Sequence, residues 1–132
     1  MTSDPARSTS GEAGNPRVLI VDDNRDLALS LARLLQLMGY EVHTVFDGHD
    51  GLRAARAIAP HAILLDIGLP NMDGYQVARA LREEGFDETM IIAVSGYGQE
   101  EDRQRSRQAG MDHHVTKPVD VKTIASLIGK PE

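Results

Sequence analysis

Four strand-like segments of this chain, three of them apolar runs, end in residues that can carry charge or donate a hydrogen bond. Val18-Leu19-Ile20-Val21 leads into Asp22-Asp23, and Ala62-Ile63-Leu64-Leu65 into Asp66. Met90-Ile91-Ile92-Ala93-Val94 leads into Ser95, and the short His113-His114-Val115 into Thr116-Lys117-Pro118. If those ends meet, three carboxylates, a hydroxyl and an ammonium share one place. Carboxylates a few ångströms apart repel each other, and burial raises their pKa. A hard divalent cation relieves both effects: Mg2+ binds through one or two carboxylates plus waters and keeps positions open for phosphate oxygens. One carboxylate can then attack phosphorus and form an aspartyl phosphate. Charge on the moving phosphoryl group is taken up by the cation, the ammonium and the hydroxyl.

That chemistry requires a scaffold bringing four segment ends to one rim. Continuous apolar runs such as 18–21, 62–65 and 90–94 suggest strands covered on both faces. Glu41–Phe46 and His113–Thr116 are more polar and read as sheet edges. Helical periodicity fills the gaps. Leu27, Leu31, Leu34, Leu35 and Met38 form one stripe on a helix that stops at Gly39. Leu52, Ala55 and Ile58-Ala59 mark a second helix, Val77, Ala78 and Leu81 a third, and Val121, Ile124, Ala125 and Ile128 the last. The fourth, within QEEDRQRSRQA (99–109), offers only Ser106 and Ala109 to a sheet and should be weakly held.

Five β-α repeats imply an α/β fold with a parallel sheet and right-handed crossovers. Three apolar strands between two polar ones fit spatial order 2-1-3-4-5, the flavodoxin-like doubly wound five-stranded sheet with five helices. Ligands bind at the carboxyl ends of such strands, where the order reverses. Asp66 ends its strand because that rim needs a carboxylate.

Composition narrows the alternatives. The 132 residues fit one domain, and residues 1–16, rich in Ser, Thr, Gly, Pro and Ala, read as a disordered tail before a domain at 17–132. There is no Cys, which excludes disulfides and thiolate metal sites. No apolar stretch reaches the roughly 18 residues of a membrane span, and the N-terminus has no secretory h-region. A net charge of −6 without a basic cluster argues against direct nucleic-acid binding. A cytoplasmic location is expected.

The four motifs VDDN (21–24), LLDIGLPNMDGY (64–75), AVSGYG (93–98) and TKPVD (116–120), in this order and each at a strand end, resemble the receiver domain of two-component response regulators from about residue 17 to 129. The resemblance implies that Asp66 is the phosphoacceptor, that Asp23 binds the metal directly and Asp22 through water, and that the Gly68 carbonyl is a further ligand. It implies Mg2+ (or Mn2+) as cofactor, Lys117 as the phosphate-pairing lysine, and a cis Lys117–Pro118 bond. Ser95 takes the family's Ser/Thr switch position. The second switch position, usually Tyr or Phe, is His114 here, and a buried imidazole is costly unless it finds a hydrogen bond. Gly68 and Tyr97 flank the acceptor in the family, and glycine at the first leaves water a path.

The implied partners are a histidine kinase or histidine phosphotransfer protein and a downstream protein target. Leu29 and Leu37, off the core stripe of the first helix, would suit a histidine-bearing helical partner. The charged fourth helix argues for a monomer. SGYGQEEDRQRSRQAGMDHHVTKP resembles receivers of hybrid sensor histidine kinases, so the chain reads either as a stand-alone regulator, with no output module after residue 129, or as a receiver cut from a larger protein. The alternative is a metal-dependent aspartyl-phosphate phosphatase or phosphotransferase acting on small molecules. Haloacid-dehalogenase-type enzymes carry a second acid two residues after the nucleophile, where this chain has Gly68. Beside these roles stand plain capping roles: one of Asp22, Asp23 and Asn24 for the first helix, Asp73 for the third, and Asp120 for the last. His43, His49, His61 and His113 have no ligand-like spacing.

Overall fold

The computed structural model of the chain describes residues 15–96 and 100–129. The expectations for residues 1–14 and for Tyr97 fall outside them. Five strands alternate with five helices: β1 Arg17–Val21, α1 Arg25–Leu37, β2 Glu41–Val45, α2 Gly48–Ile58, β3 Ala62–Asp66, α3 Gly74–Glu83, β4 Met90–Ser95, α4 Glu100–Gln108, β5 His113–Thr116 and α5 Val121–Ile128. The strands form one parallel sheet in the order β2-β1-β3-β4-β5, as expected. Pro16, assigned to the tail by composition, already accepts the Glu41 N–H.

Successive strand residues point to opposite faces, and the core divides accordingly. Leu19, Val21, Ile63, Leu65, Ile91 and Ala93 face α2 and α3, with Ala109 and Met111 closing the α4 end. Val18, Ile20, Leu64, Ile92 and Val94 face α1 and α5. Both faces of β1, β3 and β4 are therefore dry, which is why those runs show no polar alternation. The edge strands β2 and β5 are only partly buried.

Helix α1 corrects one expectation. Its buried side chains are Ala28, Leu31, Ala32 and Leu35, whereas Leu34 is 48% exposed. At 100° per residue Leu34 lies roughly 110° from the centre of that set. The face that meets the sheet is centred on the two alanines, which leaves Leu34 exposed, as are Leu29 and Leu37. The caps follow the sequence: Asn24 accepts from the Leu27 N–H, Asp73 forms a reciprocal capping box with Gln76, and Asp120 accepts from the Lys122 N–H. Each satisfies an otherwise unpaired donor of a first turn.

Candidate functional site

Strand register assembles the site. Val21 pairs with Leu65, so the next residues, Asp22 and Asp66, leave neighbouring strands side by side. Asp66 pairs with Val94, and Ser95 with Thr116, which sets Lys117 one residue past the same rim. The Lys117 N–H donates to the Ser95 carbonyl at 2.8 Å. The Lys117–Pro118 bond is cis. The start of α3 crowds this rim: a Cβ on Gly74 would lie 2.7 Å from the Asp66 carbonyl oxygen and from Ile67 Cα. Glycine is required there for α3 to begin so close to the strand end.

The three acids converge. One carboxylate oxygen from each of Asp22, Asp23 and Asp66 lies within 4.8 Å of the others, Asp22 and Asp66 being buried and Asp23 exposed. Asp22 Oδ1 accepts the Asn24 N–H at 2.9 Å, and Asp66 Oδ1 accepts the Gly68 N–H at 2.9 Å. Lys117 Nζ stands 3.3 Å from Asp66 Oδ2 and 3.8 Å from Asp22 Oδ2. Burial pushes the Asp22 carboxyl above the usual aspartate range; repulsion from Asp66 adds to this, against the Asn24 N–H and the Lys117 ammonium. One ammonium cannot neutralise three carboxylates, two of them buried. The donor set, all hard oxygens with one exposed member, fits a hard divalent cation.

The acids border an open cleft of about 600 Å³ lined by Asp23, Asp66, Gly68, Ser95, Arg105 and Lys117 among others. Every site residue expected from sequence therefore lies at this rim or in contact with it. His114 reaches it through Ser95: its Nε2 is 2.9 Å from Ser95 Oγ, and its Nδ1 is 3.1 Å from Ser106 Oγ. The half-buried imidazole thus has a hydroxyl partner at each ring nitrogen.

Two residues of this region, Arg105 and Ser106, were not assigned to the site by sequence. Arg105 stacks over the Tyr75 ring at 4.3 Å while lining the cleft. Its signal lay in the run QEEDRQRSRQ, where one arginine among several cannot be distinguished without knowing which helix face meets the rim. Ser106 was read only as a small residue, and its hydroxyl becomes meaningful once the register is known. His114 pairs with Ala93 on β4, which puts it on the same sheet face as Ser95 and α4.

Comparison with known proteins agrees with this geometry. Residues 18–129 match the response regulator receiver domain family. The chain is 42% identical over 116 residues to the transcriptional regulatory protein PrrA of Mycobacterium tuberculosis, covering 88% of this chain and 48% of that protein. It is 34% identical over 119 residues to the sensor protein GacS of Pseudomonas syringae, covering 87% and 13%. The chain thus spans about half the length, or less, of these curated relatives. Among solved structures it is similar to the chemotaxis protein CheY4 of Vibrio cholerae, with a TM-score of 0.83, 27% identity, and coverage of 87% of this chain and 97% of that one. It is also similar to a CheY-like receiver domain protein of Methanospirillum hungatei, with a TM-score of 0.80, 30% identity, and coverage of 87% and 91%. None of these likenesses supports the small-molecule phosphatase alternative. Fold, acidic rim and sequence agree over nearly the whole described length, and the chain belongs to the response regulator receiver family, the receiver domains of two-component signalling.

Proposed function

We propose that Asp66 is the phosphoacceptor of this receiver, taking its phosphoryl group from the phosphohistidine of a kinase or phosphotransfer protein in the presence of Mg2+ (or Mn2+). The observation that carries this reading is the position of Asp66 Oδ2, 3.3 Å from Lys117 Nζ and beside the other two acids, on an open cleft. The Gly68 N–H holds Oδ1 and fixes the carboxylate plane. Oδ2 attacks phosphorus, the O–P bond forms as the donor's P–N bond breaks, and the electron pair returns to the donor imidazole. Lys117 follows the charge from the carboxylate onto the phosphoryl oxygens. Asp22, Asp23, Asp66 and the Gly68 carbonyl would hold the cation, which when bound supplies charge neutralisation to the transferring group. Ser95 and His114 are the switch pair that responds to the new group.

The reading is tested with a 32P-phosphorylated histidine phosphotransfer protein. Wild type should take up label with Mg2+ and take up none in EDTA. Label uptake without divalent cation would overturn it.

The donor's docking face is assigned to α1. Leu29, Leu34 and Leu37 are 52%, 48% and 77% exposed on the helix that begins beside the acids. Leu37→Asp should slow transfer from a protein donor severalfold and leave labelling by acetyl phosphate unchanged; equal effects on both would contradict the assignment. The charged described side chains of α4 favour a monomer before and after phosphorylation, which sedimentation tests directly. No helix among the described residues is long and apolar enough to cross a membrane, in keeping with a proposed cytoplasmic location.

A further inference from the structure

Ser106 and Ala109 are buried, and Arg105, one residue or about 100° round α4 from Ser106, is exposed on the cleft that Asp66 and Lys117 also line. Its guanidinium carbon stands 4.3 Å from the centroid of the Tyr75 ring. Tyr75 is buried in the first turn of α3, directly after the glycine that lets this helix begin against Asp66. The platform under Arg105 is thereby fixed beside the acceptor's own strand end. Stacking uses the face of a guanidinium and leaves its N–H edge for oxygen acceptors. Among the described residues, no carboxylate stands within ion-pair distance of Arg105.

A divalent cation and Lys117 together match the three carboxylates of the rim charge for charge. Phosphorylation upsets that match, because a carboxylate carries one negative charge and a phosphoryl group about two at pH 7. The loaded cleft then holds about one negative charge left over, and Arg105 is the other cation among the described residues that line it. We propose that Arg105 is a phosphoryl-binding residue of this cleft: presented from the Tyr75 ring, its guanidinium donates to the oxygens of the group on Asp66 and takes up the charge that Mg2+ and Lys117 leave over. This rests on the reading of Asp66 as acceptor. Toward Mg2+ alone the same guanidinium is a like charge and opposes binding. Toward the phosphoryl group it is an opposite charge with several donors. Arg105 therefore favours the phosphoryl-loaded cleft over the cleft that holds metal alone.

Beryllofluoride at saturating Mg2+, a stand-in for the phosphoryl group, supplies the test. Arg105→Ala and Arg105→Gln should bind it about tenfold more weakly than wild type, the effect of one charge-assisted hydrogen bond. Arg105→Lys, which keeps the charge, should recover most of that loss. Mg2+ alone should bind Arg105→Ala at least as tightly as wild type, an opposite sign that a merely structural defect would not produce. In wild type, the 15N resonance of Arg105 Nε should move on adding beryllofluoride. Tyr75→Leu should weaken beryllofluoride binding severalfold, and the double variant Arg105→Ala/Tyr75→Leu no more than Arg105→Ala alone, since the ring acts through the guanidinium. Wild-type affinity for beryllofluoride in Arg105→Ala, a parallel loss of affinity for Mg2+ alone, or an Nε resonance that stays put while beryllofluoride binds would overturn the proposal. Failure of wild type to bind beryllofluoride at all would instead overturn the acceptor reading beneath it.

Discussion

Asp22→Asn should stabilise the metal-free protein slightly and remove much of its response to Mg2+. The Asp22 carboxyl is 6% exposed and titrates above the usual aspartate range, with burial the largest cause. A folded-state pKa above the unfolded value means that the folded chain binds the proton more tightly, so stability is lost as pH rises through the folded pKa. At pH 7 the charged side chain is therefore a net liability that Asn lacks. The charge pairs nearly cancel. Repulsion from Asp66, with carboxylate oxygens within 4.8 Å, is about 3.5 kcal/mol or more at an effective dielectric of about 20. Attraction to Lys117 across 3.8 Å is about 4.4 kcal/mol on the same scale. Burial decides the sign, and the gain should be on the order of 1 kcal/mol. The Asn amide oxygen can still accept the Asn24 N–H. Mg2+ at about ten times its Kd stabilises wild type by about 1.4 kcal/mol, or about 6 °C in Tm for a domain of this size. Thermal melts with EDTA and with Mg2+ read both effects. A metal-free Asp22→Asn protein that melts several degrees below wild type, or one that keeps the full Mg2+ increment, would refute the reasoning.

Three further outcomes follow from particular contacts. An added Cβ on Gly68 would meet only Asp66 Oδ1, at 3.5 Å, among atoms within 4 Å; Gly68→Met should therefore fold and, by shielding the acyl phosphate from water, lengthen its lifetime by about tenfold, read as loss of 32P over time. Arg82 donates to the Gly110, Phe86 and Thr89 carbonyls and to Asp112, tying α3 to the loops around β4 and β5; Arg82→Ala should cost about 2–3 kcal/mol in urea unfolding and leave Mg2+ binding unchanged. His61 Nδ1 accepts the Arg17 N–H at 3.0 Å, and burial followed by the Arg17 charge holds its pKa below the usual histidine value. The unfolded chain then binds the extra proton, so stability should fall as pH drops through about 6.5, and His61→Asn should flatten that slope in pH-dependent melts.

The strands were legible because β1, β3 and β4 are buried on both faces and carry unbroken apolar runs, each ending in the residue the rim uses. Edge position was equally legible in the polar character of β2 and β5. Helix α1 differs at Leu34 because the leucine spacing outweighs the alanines in sequence, while the buried face is centred on Ala28 and Ala32 with Leu31 and Leu35. The acids and Lys117 could be read at once, since each terminates an element and needs no knowledge of helix rotation. Arg105 and Ser106 could not. Their meaning depends on the angle at which a short, polar helix meets the sheet, and no apolar periodicity in residues 99–109 fixes that angle.

The central claim, that the phosphoryl group is carried on the Asp66 carboxylate, is tested most directly by trapping it. Borohydride reduces an acyl phosphate of aspartate to homoserine, and peptide mass spectrometry locates the change. After incubation with a phosphorylated histidine donor and Mg2+, homoserine is predicted at position 66, and neither at 66 nor elsewhere in Asp66→Asn. Homoserine at Asp22 or Asp23, or undiminished label in Asp66→Asn, would contradict the account.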